Sequence, residues 1–152
     1  MDKRKLQLEQ LDRKLQGFYP SSNIVPPPTG WIRNIRQALG ISLQQLADKL
    51  SISKQAIQGI ETRERDGNIS IRNLNEVASA LDMKVVYAVV PKSGTLEELI
   101  ERKARELAMQ IVSRTSNSMK LEDQENSKER IDKAIDERTI LIKNEMPKAL
   151  WD

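Results

Sequence analysis

The 152-residue sequence contains no cysteine and no histidine. That excludes disulfides, thiolate nucleophiles, Cys/His zinc sites and histidine acid–base catalysis together. Large aromatic residues are scarce as well, with two Trp, two Tyr and one Phe. The core must therefore be aliphatic and helical, and a chain this poor in bulky apolar residues is expected to complete it as a homodimer. No apolar run approaches the ~20 residues that a membrane span requires. The N-terminal stretch MDKRKLQLEQLDRKL is charged throughout and lacks the apolar region of a signal peptide. With the missing cysteines, this sets the expectation of a cytoplasmic protein with no membrane partner. Charge of one sign is also in short supply: 25 Lys and Arg face 22 Asp and Glu, a net +3. So small an excess does not specify a nucleic-acid partner; only the local placement of charge can.

What the sequence does have is helical periodicity. Leu8, Leu11 and Leu15 recur at the spacing of a short amphipathic helix. Pro20 and the run Pro26, Pro27, Pro28 forbid a helix and favour an extended linker, setting this arm apart. Four helical segments follow between Gly30 and Leu81. Trp31, Ile32, Ile35 and Leu39 share the first apolar face, and Gly40 ends that segment. Ser42, Ser53 and Ser70 stand where N-caps belong, and Asp66-Gly67-Asn68 reads as a turn. The last segment puts Ile71, Leu74, Val77 and Leu81 on one face. Met83 to Pro91 is β-branched, short and closed by proline, which predicts a single strand that needs a partner strand outside the chain. Thr95 opens a long helix, a polar stretch spans 117–127, and a further helix runs to Pro147. The expected fold is mainly α: a helix-turn-helix bundle of four to five helices, then one short β-strand, then C-terminal helices. The expected division is an arm and linker over 1–29, a DNA-binding domain over 30–82, and a dimerisation or partner-binding part over 83–152.

The stretch ISLQQLADKLSISKQAIQGIE, residues 41–61, carries the chemistry. Two short helices joined by about three residues cross closely only if a small residue sits at the contact, and Ala47 supplies it. Leu46, Leu50, Ile52, Ile57 and Ile60 fall at the inward offsets. The outward face of the second helix is then Lys54, Gln55, Gln58 and Thr62, side chains that can reach base edges; glutamine suits adenine and lysine suits guanine. Arg33 and Arg36, one turn apart on the preceding helix, and Arg63 and Arg65 beyond the reading helix are placed for phosphates. Ser42, Gln44 and Ser53 at the helix starts join that set. Arg36 has a second option, an internal ion pair with Glu61. For each of these side chains the plain alternative is a solvated surface position, and for Lys3, Arg4 and Lys5 on the arm that alternative is favoured.

The same stretch resembles the Cro/repressor-type (XRE) helix-turn-helix family, which has a small residue where Ala47 stands, a β-branched one where Ile57 stands, and Ile-Glu where Ile60-Glu61 stand. Ser51 replaces a frequent turn glycine, which strains the turn. Leu43 replaces a frequent glutamine, which removes one phosphate contact. Over nearly the full chain, QLDRKL, PPPTGWIRNIRQALGISLQQLADKLSIS, VVYAVVPK, MKLEDQ and LWD resemble the mobile mystery protein A family. Members are typically encoded on mobile elements beside a Fic-domain protein. The resemblance implies a repressor that binds an inverted-repeat operator, acts as the antitoxin of a Fic partner and controls its own operon. The competing implication is a protein-interaction module that mainly sequesters or inhibits the Fic enzyme.

Fic proteins are often restrained by a helix carrying Ser/Thr-x-x-x-Glu-Gly/Asn, whose Glu pairs with an active-site Arg and blocks the ATP γ-phosphate. Ser118-Met-Lys-Leu-Glu122-Asp123 follows this except at its last position, and Ser93 to Glu97 matches the first five positions equally well. The plain alternative for Ser118 and Glu122 is a polar segment between helices. Carboxylates such as Glu97-Glu98 and Glu122-Asp123 have no nucleophile, metal-ligand set or phosphate loop beside them, so no enzymatic activity, cofactor or metal is expected.

Overall fold

Helices run over Lys3–Leu15 (α1), Trp31–Ala38 (α2), Leu43–Leu50 (α3), Lys54–Asp66 (α4), Ile71–Ala80 (α5), Leu96–Lys120 (α6) and Lys128–Glu145 (α7), with single 3₁₀ turns at Tyr19–Ser21 and Lys148–Trp151. They come from a computed structural model that describes residues 3–120 and 128–152. The chain divides into two compact units. One is Asn23–Ala88, and the other joins the residues up to Ser22 with those from Val89 onward.

All regular structure among the described residues is helical, which corrects the expected β-strand. Met83 to Val90 has no regular secondary structure. The physical reason lies in what a strand requires. Its backbone donors and acceptors need a second extended segment to form a ladder, and no described segment pairs with it. Val86, Tyr87 and Val89 are 69%, 68% and 87% exposed, so the β-branched composition reflects no packed sheet face.

In the Asn23–Ala88 unit, serines set the helix starts. The Ser42 hydroxyl accepts from the Gln45 amide while the Gln45 side chain accepts from the Ser42 amide, a reciprocal cap that opens α3. Ser53 caps α4 through the Ala56 amide, and Ser70 caps α5 through that of Asn73. Between α3 and α4, Ser51 adopts the left-handed conformation, φ 55° and ψ 40°, where glycine would be unstrained. Gly67 closes α4 the same way. Ile32, Leu46, Ala47, Ile57, Val77 and Leu81 form the core. Ala47 is completely buried, as close crossing of α3 and α4 requires. Trp31, Leu39, Ile52 and Ile71, placed inward by periodicity, are exposed instead. A helical repeat gives the direction of the apolar face but not how much of it the neighbours cover.

α2 begins at Gly30, whose φ is +92°. The Glu64 carboxylate, from α4, accepts the Trp31 and Ile32 amides at 2.9 and 2.8 Å and so caps α2 across 33 residues of sequence. A Cβ at position 30 would lie 2.8 Å from Glu64 Oε1, so this approach also requires glycine.

In the other unit, α6 and α7 pack along Ile100, Ala104, Ala108, Ile135 and Ile142, and Leu150 closes the core beside them. Trp151 is exposed. α1 buries no residue fully; it is fastened by Asp12, which accepts the Leu96 and Glu97 amides at 2.9 and 3.1 Å and caps α6. The Tyr19 hydroxyl donates to the same carboxylate. Partial burial raises the Asp12 pKa, but the bond from Tyr19 and those from the two amides outweigh it and hold the carboxyl below its ordinary value. A carboxyl with a depressed folded pKa stabilises fully above its unfolded pKa and loses that contribution as pH falls through the folded one. Attachment of α1 should therefore be constant from neutral pH down to the ordinary aspartate range and weaken below it. Hydrogen exchange at the Leu96 and Glu97 amides should quicken there in the wild type, whereas Asp12→Asn should exchange fast at every pH. No helix of the described residues is long and apolar enough to cross a membrane.

Candidate nucleic-acid interface

α4 is aimed by what it buries. Ile57 is fully enclosed and Ile60 is packed against the core, so the opposite face must point outward. Lys54, Gln55, Gln58 and Thr62 all lie on that exposed face. Its electrostatics are equally specific. α4 contains three carboxylates, and each is engaged. Glu61 is paired with Arg36, Glu64 caps α2, and Asp66 accepts from Arg65 at 3.0 Å. The outward face thus presents a lysine, two amides and a hydroxyl with no free negative charge to repel a polyanion.

Arg36 is the one correction among the phosphate candidates. It is 8% exposed and Glu61 is 7% exposed. Its guanidinium donates to both Glu61 oxygens at 2.8 and 3.0 Å and to the Ile41 carbonyl at 3.0 Å. The hydrogen bonds to Glu61 and its charge, opposed by burial, raise its pKa above the ordinary arginine value. Of the two roles open to it in the sequence, the internal pair is the one adopted, and the fork is spent inside the domain. This bidentate pair joins α2 to α4 and fixes the angle between them.

Arg33 and Arg63 are exposed and make no ion pair with a described residue. Arg65 is exposed but tied to Asp66, which raises its pKa. Ser42 and Ser53 spend an oxygen lone pair on capping and keep a hydroxyl proton for an outside acceptor. Gln44 is exposed, with its amide nitrogen on Asp48 at 2.8 Å. Arg33, Gln58, Thr62 and Arg65 line one open cleft of about 410 Å³, with the Arg36–Glu61 pair among its walls. Gln37 and Thr29 line it too, and sequence reasoning missed both. The available signal for Gln37 was its position one turn beyond Arg33.

Ser118 falls in the last turn of α6, and Glu122 lies outside the described residues. The rival match is occupied structurally: Glu97 receives Lys143 Nζ at 3.4 Å, and the Ser93 carbonyl accepts from Arg102.

Residues 32–87 match the model of a family described as Helix-turn-helix. This stretch is a helix-turn-helix domain. No curated protein and no solved structure shows a match to the chain. The domain is of the type found in DNA-binding transcription regulators rather than in catalysts. Arg63→Ala should weaken binding to all DNA sequences alike and lower the slope of log affinity against log salt by about one unit, as loss of one phosphate contact requires. Titrations at several salt concentrations check this.

Proposed function

We infer that the chain is a sequence-specific DNA-binding repressor that works in the cytoplasm as a homodimer on an inverted-repeat operator. The observation that carries this reading is the outward face of α4: Lys54, Gln55, Gln58 and Thr62 exposed together, with every carboxylate of the helix engaged elsewhere. One such head reads only a half-site, so specificity calls for two heads about one helical turn of DNA apart. Lys54, Gln55 and Gln58 contact bases. Arg33, Arg63, Arg65, Ser42, Gln44 and Ser53 face the backbone, and Thr62 stands at the edge of the reading surface beside Arg33 and Arg65.

The stretches that resemble the mobile mystery protein A family support a finer role, the antitoxin of a Fic-domain protein encoded beside it and the autoregulator of that operon. Footprinting of the region upstream of its own gene, with and without the Fic partner, tests the repressor. A protected inverted repeat is expected, and no protection in either condition would contradict it. For the partner role, Glu122→Gly should release the Fic protein's nucleotide transfer while Glu97→Gly should not. Equal inhibition by both would dismiss Ser118 and Glu122.

A further inference from the structure

α4 carries a glycine that its own fold does not use. Of the six glycines in the chain, Gly30, Gly40, Gly67 and Gly94 stand at positive φ and Gly17 lies in a turn. Gly59 is inside a helix and has no positive φ. Among the described residues, a Cβ at position 59 would meet only Arg63 Nη1, at 3.4 Å. That atom ends a long, exposed side chain, which can give by the few tenths of an ångström required. No neighbouring helix among the described residues comes that close, so helix packing does not call for glycine here. Glycine is the poorest helix former after proline, because it loses the most backbone freedom on folding. The chain therefore keeps a residue that weakens α4 and that nothing within the domain requires.

Its place on the helix supplies a reason. Ile57 and Glu61 are the buried residues of α4, and Gly59 lies on the side away from them. Residues three and four apart are neighbours on a helix surface, so Gln55 borders Gly59 on one side and Thr62 and Arg63 on the other, with Gln58 next to it. All four of these side chains are exposed. Gly59 is thus a notch one methyl group deep within the face that carries Gln55, Gln58 and Thr62. The notch has no polar side-chain atom of its own. In the major groove the base edges show donors and acceptors, which call for polar side chains, and one apolar projection, the thymine 5-methyl group, which calls for a recess. Gln55 and Gln58 suit adenine, which puts thymine in the base pairs beneath this face.

We propose that Gly59 is a specificity-determining residue of α4, whose missing Cβ admits a thymine 5-methyl group into the reading face. A methyl at position 59 and a methyl on the base would occupy the same volume, so α4 seats fully only when one of them is absent. This role exists only if α4 reads DNA as inferred above.

The test moves a methyl group between protein and DNA. Duplexes are selected from a random pool with the wild-type full chain, and each thymine of the recovered half-site is replaced in turn by deoxyuridine, which lacks only the methyl. Wild type and Gly59→Ala are titrated against this set, and both are melted. Gly59→Ala should melt a few degrees above wild type and bind the thymine duplex at least about ten-fold more weakly. Deoxyuridine at one position of the half-site should weaken wild type about four-fold, the effect of one unburied methyl group, and restore most of the affinity of Gly59→Ala. Equal binding of the thymine duplex by the two proteins would overturn the proposal. So would a loss in Gly59→Ala that no deoxyuridine relieves, because a displaced Arg63 or a clash with the sugar-phosphate backbone is blind to the methyl. A Gly59→Ala protein that melts below wild type would overturn it as well, since the glycine would then serve the fold. If wild type recovers no duplex, the reading of DNA by α4 fails and the role of Gly59 with it, whereas a recovered duplex bound equally by both removes the role of Gly59 alone.

Discussion

Arg36→Met should destabilise the protein by about 3–5 kcal/mol, because it leaves the Glu61 carboxylate buried without its partner. The pair sits at 8% and 7% exposure and makes two parallel hydrogen bonds, with a third from Arg36 to the Ile41 carbonyl. A small domain has roughly 5–15 kcal/mol of total stability, so a loss of that size removes much of the folded population. Glu61→Leu should cost a similar amount by stranding the guanidinium. The double variant Arg36→Met/Glu61→Leu should recover most of the loss, since a buried ion pair pays desolvation that two well-packed apolar side chains do not. Urea denaturation of the three variants gives the coupling energy directly. If the single variants lost under ~1 kcal/mol, the pair would be acting as an exposed one, and its role in fixing α4 would fall.

Gln55→Ala and Lys54→Ala should each weaken operator binding by about 1–3 kcal/mol, roughly five- to 150-fold, and relax the preference at one base position of each half-site. Both residues are exposed in the first turn of α4, where the N-terminal end of a reading helix meets base edges. Neither belongs to the core, so melting temperatures should not move. Competition with single-base operator variants distinguishes this from simple loss of affinity: discrimination should disappear at the position read by the altered side chain and persist elsewhere. Uniform weakening across all operator variants would reassign that side chain to the phosphate backbone.

The part of the fold most legible in the sequence is the pair α3 and α4, because its caps and its crossing are set locally. Ser42 and Ser53 cap where their hydroxyls reach the third amide beyond, Ala47 permits the crossing, and Ile57 turns Lys54, Gln55 and Gln58 outward. What the sequence conceals are contacts made across long separations. Glu64 reaches amides 33 and 32 residues away, and Asp12 reaches amides 84 and 85 residues away. Nothing in either side chain's neighbours announces those bonds. Arg36 was ambiguous for the same reason, since a position one turn from Arg33 suits an outward phosphate contact and an inward pair equally well. The Met83 to Val90 segment misled for a different reason: β-branched composition records a preference for a pleated, half-buried surface, and a preference makes no strand without a partner to pair with.

Selection from a random double-stranded DNA pool with the full chain tests most directly whether α4 reads a defined DNA sequence. An inverted repeat should be enriched whose consensus changes at one position per half-site for Gln55→Ala and stays unchanged for Arg63→Ala. A pool with no sequence enriched, or a consensus indifferent to Lys54, Gln55 and Gln58 alike, would contradict it.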